Sequence, residues 1–220
     1  TMRSNVALVG DGGGIYSDGD TLILTDTRIA ENRARNGGGV LSSGGTLTAT
    51  AVTVEDNIAT ASAGGMQAGG TVVISGSIIR NNQAATTAGF FAGGVLLQSA
   101  NALVANTVIS GNMAGYAGGV YVFGVTGRIY DSAIYANIAS QQAGGGIYID
   151  YSQLVISRTA IYSNTATGSV FPYGGGIYVQ NNFAYTLSNV TLSANSAGYG
   201  GAIAQFGSAL GAITATTIAR

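Results

Sequence analysis

The feature that most limits what this chain can fold into is a glycine-glycine-aliphatic signature that recurs eight times along its 220 residues. Gly144-Gly145-Gly146-Ile147-Tyr148-Ile149 is a full copy. Marked by their aliphatic residue, the copies fall at Ile15, Val40, Met66, Val95, Val120, Ile147, Ile177 and Ile203, at intervals of 25, 26, 29, 25, 27, 30 and 26 residues. Self-similarity at a period of that size marks a solenoid, in which each repeat stacks on its neighbours. No stretch of different composition interrupts the repeat, so one elongated domain over residues 1–220 is expected.

Between the signatures the chain alternates. In Leu154-Val155-Ile156-Ser157-Arg158-Thr159-Ala160-Ile161-Tyr162-Ser163-Asn164, apolar or small residues recur at alternate positions and close on an asparagine. Period two belongs to a strand, whose successive side chains point to opposite faces. The copies align into columns. One is Asn32, Asn57, Asn82, Asn112, Asn137, Asn164 and Asn195, and three residues ahead of it runs Ile29, Val54, Ile79, Ile109, Ile134, Ile161, Leu192 and Ile218. Another is Leu24, Ala49, Ile74, Val104, Ile129, Ile156, Leu187 and Ile213, with a mostly hydroxyl column from Thr27 to Thr216 between the two. Each repeat thus holds three short strands. With no amphipathic helical segment, leucine-rich, ankyrin and propeller repeats are excluded. The expected fold is an all-β, single-stranded parallel β-helix of about eight coils, each of 25–31 residues. Coils stacked at the ~4.8 Å strand spacing form a rod about 38 Å long with the aliphatic columns inside. The glycine pairs are expected at one corner, where they allow positive φ and close stacking of coils. The asparagines are expected at a second corner, in left-handed backbone geometry, with their amides bonded into a ladder.

These motifs resemble the repeats of bacterial surface β-helices, the polymorphic outer-membrane and autotransporter-like adhesins, which read Gly-Gly-Ala-Ile and Phe-x-x-Asn. Gly200-Gly201-Ala202-Ile203 matches the first outright, and the second occurs with Ile, Val or Leu in place of Phe, as in Ile161-Tyr162-Ser163-Asn164. The resemblance spans the whole chain. It implies a right-handed coil, a pectate-lyase-like fold and a place on or outside a bacterial cell, and it carries no catalytic residue across.

Composition narrows the partners. Only 8% of residues are charged, there is no Lys and no His, and the net charge is -1. Nothing here builds the basic surface that nucleic acid or an anionic membrane requires. Without cysteine there is neither a disulfide framework nor a thiolate metal site, and no run of 18 apolar residues marks a membrane span. Thr1-Met2-Arg3-Ser4-Asn5 lacks the charged and apolar regions of a signal peptide. A surface rich in Ser, Thr, Asn and Gly reads as that of a secreted or cell-surface bacterial protein, with no cofactor.

Both ends fall mid-coil. Met2 occupies the aliphatic column and Asn5 the asparagine column, while Ile218 shares the column of Met2 and ends the run that includes Ile213 in the neighbouring column. Neither end shows the polar or helical cap of a finished solenoid. Two readings follow: a window on a longer surface adhesin, or whole subunits that associate end to end into filaments through Met2, Asn5, Ile213 and Ile218.

Several surface positions invite a ligand. The column after the aliphatic marker contains Tyr16, Tyr121, Tyr148 and Tyr178, and two positions further on lie Gln98, Phe123, Asp150 and Gln180. Half-exposed stacked tyrosines flanked by polar groups bind glycans, though aromatic ladders also stabilise a parallel sheet by packing alone, which is the favoured reading. The two longest coils insert residues at one corner with aromatic tips, Phe90-Phe91 and Phe171-Pro172-Tyr173. These tips either meet a partner or fold back over the glycine strand. Asp11, Asp18, Asp20 and Asp26 cluster near Gly12-Gly13-Gly14 as calcium ligands do, but occur once, without the nine-residue repeat of calcium-binding rolls. An enzyme on this fold would need paired carboxylates beside a base, and Glu55, Asp56, Asp131 and Asp150 do not align into such a set. A non-enzymatic role is therefore expected, with glycan binding as the alternative.

Overall fold

The computed structural model describes residues 1–85, 92–168, 172–181, 184–207 and 210–220. Among them regular structure is entirely β. Each coil opens with a glycine strand, such as Val120–Phe123 or Ile147–Asp150, continues into a second strand, such as Thr126–Tyr130 or Gln153–Ser157, and turns into a third, such as Ala133–Tyr135 or Ala160–Tyr162. In two coils the first two strands run together, as Met66–Ser75 and Val95–Ala105, paired across a register shift between Gly69 and Gly70. Strands of successive coils pair in parallel and in strict register, Tyr121 with Tyr148 and Tyr148 with Tyr178, Ile134 with Ile161 and Ile161 with Leu192. The chain is a parallel β-solenoid of about eight coils, as the repeat predicts.

The interior follows from the columns. Ile29, Val54, Ile79, Ile109, Ile134, Ile161 and Leu192 are fully buried, and the columns of Ile74 and Val95 stack beside them in one continuous core. Burying a Val, Leu or Ile side chain contributes about 1.5–3 kcal/mol, and each coil supplies several. Because a coil buries little by itself, this stabilisation exists only between neighbours.

The asparagine column does what its spacing implies. Asn137 Nδ2 and backbone N–H both donate to Asn164 Oδ1, at 2.9 and 3.0 Å, while Asn137 Oδ1 accepts the same pair from Asn112, both at 3.0 Å. A second Nδ2 bond, 3.0 Å to the Ile109 carbonyl, satisfies the backbone at the turn. One expectation needs correction: the left-handed residue is not the asparagine but the one before it, for example Glu31, Asp56, Ala136 and Ser163, with φ of 58°, 55°, 53° and 54°. The asparagine itself faces inward, where its amide replaces the pairing that the bend removes. A second left-handed column, including Asp26, Ala51, Asn106 and Asp131, precedes the hydroxyl column. There Ser77, Thr107 and Ser132 donate to the carbonyl two residues back and accept an N–H from the preceding coil.

The glycine corner also differs from expectation. The paired glycines next to the aliphatic marker do not have positive φ, which falls on the residue before them where that is also glycine, as at Gly144 and Gly174. What excludes a side chain is proximity. A Cβ on Gly119 would lie 2.5 Å from the Gly146 carbonyl oxygen and 3.1 Å from Asn137 Nδ2, and Gly14, Gly39, Gly65, Gly94, Gly146 and Gly176 are equally confined.

Sequence alternation misses one element. After the asparagine a two-residue strand adds a fourth side to the coil, as at Ile58–Ala59, Met113–Ala114, Ile138–Ala139 and Thr165–Ala166. From it the chain returns across the outside of the glycine strand, and that crossing determines what the surface offers.

Candidate functional site

The tyrosine column is not half-exposed. Tyr121, Tyr148 and Tyr178 are 1%, 3% and 6% accessible, their rings tilted or edge-on to one another at centroid spacings of 4.7 and 4.8 Å, close to the coil rise. Tyr16 at the first coil is 55% exposed. The returning segment covers the others: Ala63, Ala92, Ala117 and Ala143 pack on them, with half-buried Tyr116 and Tyr173 at the margin. These alanines lie just ahead of the glycines in four of the copies, and only once the crossing is known does their small size acquire a reason. Stacking of the tyrosines thus serves packing, and glycan contact by their ring faces is ruled out by the cover.

Behind the rings lies a buried polar network. Tyr121 hydroxyl donates to Asp150 Oδ2 at 3.3 Å, while Tyr148 and Tyr178 hydroxyls donate to Gln180 Oε1 at 2.5 and 3.2 Å. Asp150 is 4% exposed, and its Oδ1 reaches no hydrogen-bond partner of good geometry among the described residues. Burial raises the carboxyl's pKa, against the smaller pull of Tyr121, Asn181 and the Tyr151 N–H. The same desolvation pushes the Tyr178 hydroxyl up to about 12 and raises Tyr121 and Tyr148 as well.

The other carboxylates with shifted pKa, Glu31, Glu55 and Asp131, are held by arginines on adjacent coils. Arg3 chelates Glu31 at 2.8 and 2.6 Å, and Arg158 chelates Asp131 at 2.7 and 2.9 Å. Buried Glu55 lies between Arg28 and Arg80. Burial alone would raise its pKa, but the two guanidiniums outweigh that and hold it below the usual carboxylate range. Near the first coil, Asp11 accepts a bond from Asn36 and Asp18 one from Ser43, at 2.8 and 2.6 Å. No group of three or more acidic side chains converges there or elsewhere among the described residues.

Of the aromatic insertions, Phe90, Phe91 and Phe171 lie outside the described residues. Tyr173 folds back over the glycine strand, its ring 5.7 Å from Tyr178 and 4.4 Å from Phe206. Two of the concave surfaces among the described residues bear on ligand binding. An open groove of about 650 Å³ crosses five second strands, and within those strands Arg128 is the sole charged side chain. A smaller cavity of about 330 Å³ lies on the glycine-strand side, lined by Ser62, Gln67, Leu96, Gln98, Tyr121 and Phe123.

At the termini, Ile213 and Ile218 are 48% and 56% exposed, and Met2 and Asn5 are exposed as well. The third-strand sheet has nine members, from Met2–Arg3 to Thr217–Ala219, whereas the glycine and second strands occur eight times each.

Compared with curated proteins and with solved structures, the chain shows no match. Residues 65–211, about two thirds of its length, match the family described as the right handed beta helix region. With parallel coils, an aliphatic lumen and an asparagine ladder already in place, that match also fixes the hand of the coil, and the chain belongs to the right-handed β-helix family.

Proposed function

We propose that this protein is a non-enzymatic structural and adhesive element on the outside of a bacterial cell. The observation that carries the reading is how its ion-paired and buried carboxylates are employed. Glu31, Glu55 and Asp131 are neutralised by arginines of neighbouring coils, and Asp150 is buried beneath the tyrosine stack. Acid-base hydrolysis or elimination requires a carboxylate or base open to substrate and suitably paired, and these groups instead tie coils together. The weakly charged surface rich in hydroxyls and amides suits an extracellular setting.

Contact with partners then falls to the surface and the ends. End-to-end association of copies belongs to the same reading, with exposed Ile213 and Ile218 at one end and Met2 at the other as the apolar side chains another copy would cover.

The test is incubation with a panel of plant and bacterial polysaccharides, followed by chromatography of the products and by surface labelling of cells that express the gene. Intact polysaccharide and surface label are expected. Shortened or unsaturated oligosaccharides would make the protein an enzyme, and a label confined to the cytoplasm would remove the adhesive role.

A further inference from the structure

The cavity on the glycine-strand side has the size and lining of a binding site. Small-molecule sites occupy roughly 300–1,000 Å³, and at about 330 Å³ this one admits a single sugar residue with its water. Every lining side chain is neutral. Gln67 Nε2 donates to Gln98 Oε1 at 3.3 Å, and Ser62 Oγ donates to Gln67 Oε1. These amides sit on two adjacent coils and present both N–H and C=O groups, the complement of vicinal hydroxyls that donate and accept at once. Gln98 is exposed at the mouth.

The opposite wall is aromatic and braced. Phe123 meets Tyr151 edge-on, with ring centroids 5.9 Å apart, and Tyr121 at 6.4 Å. Tyr121 is in turn anchored by its bond to Asp150. A pyranose packs its C–H face on such a ring and turns its hydroxyls toward amides. An anionic sugar finds no cation in the lining, and the ionisable group behind the wall is a carboxyl.

We propose that this cavity is a subsite for a neutral sugar residue of an extracellular or cell-surface polysaccharide, with Phe123 as the stacking platform and Gln67 and Gln98 as the groups that read hydroxyls. The proposal rests on the adhesive reading above and names its ligand class.

Affinity electrophoresis of the full chain through gels containing a glucan, a mannan, a galactan or a polyuronate tests it, comparing wild type with Phe123→Ala, Gln98→Ala and Tyr135→Ala. Tyr135 stacks on Tyr162 on the third-strand face, away from the cavity, and serves as control. At least one neutral polysaccharide is expected to retard the wild type. Retardation should be roughly tenfold weaker in Phe123→Ala and Gln98→Ala and unchanged in Tyr135→Ala, with circular dichroism alike in all four. Should Phe123→Ala misfold, the exposed Gln98→Ala still decides. The proposal is overturned by no retardation in any neutral gel, by undiminished retardation of Gln98→Ala, or by preference for the polyuronate that Arg128→Gln abolishes. Retardation that survives the cavity variants refutes the site and leaves adhesion standing, whereas release of shortened oligosaccharides refutes the non-enzymatic reading itself.

Discussion

Asn137 takes part in five hydrogen bonds from a side chain and N–H that are wholly buried, and its ladder partners do much the same. Replacing it by Ala removes the acceptor of the Asn112 backbone N–H and of one Asn112 Nδ2 hydrogen, and the donor to the Ile109 carbonyl, in a place water cannot reach. Each such group costs about 1–3 kcal/mol, so Asn137→Ala is expected to lower the unfolding free energy by about 3 kcal/mol or more, measured by urea denaturation. Asp150 acts in the other direction. Burial raises its folded pKa above the unfolded value, so its contribution is present in full below the ordinary carboxylate range and is lost as pH rises through the raised pKa. Asp150→Asn keeps an acceptor for Tyr121 and removes the charge. Its melting temperature relative to wild type is expected to climb as pH rises from acid to neutral, and a difference that is flat with pH would contradict this. Glu55 has the opposite sign, stabilising above the ordinary carboxylate range and losing that contribution as pH falls.

At the scale of the coil, the glycine corner is limited by what stacks above it. Gly119→Ala places a methyl group against the Gly146 carbonyl and is expected to cost about 2–3 kcal/mol. At the marker Ile203 the same column holds Ala202, a position that already accommodates a Cβ, and Ala202→Gly is expected to change stability by less than about 1 kcal/mol. Thermal melts of the two variants check the pair. The contrast also explains what the sequence reveals. A repeat shows each packing constraint eight times, so the buried columns and the asparagine ladder could be read directly, because one residue type or one class recurs at each. The left-handed positions could not, since Glu31, Asp56, Asn81, Gly111, Ala136, Ser163 and Ala194 share a conformation and no chemistry. The fourth strand is two residues long, too short to display a period, and without it nothing reveals that the next segment crosses over Tyr121, Tyr148 and Tyr178. The candidate site was therefore largely legible: Gln67, Gln98 and Phe123 lie in glycine-strand columns that alternation points outward, whereas Ser62 reaches the cavity only because the chain doubles back.

For the whole molecule, stability is a sum over coils and the interfaces between neighbouring ones. Ile218→Asp puts a charge where end-to-end contact would bury it, so any filaments of the wild type seen by electron microscopy are expected to vanish in the variant. Filaments that persist would exclude the termini as the contact. The wider claim, a solenoid that holds glycans without transforming them, is tested most directly by native mass spectrometry of the intact protein mixed with a library of neutral oligosaccharides. The predicted spectrum contains the protein carrying unmodified oligosaccharides, with the library unchanged after prolonged incubation. Free protein alone, or a library shortened by the protein, would contradict the account.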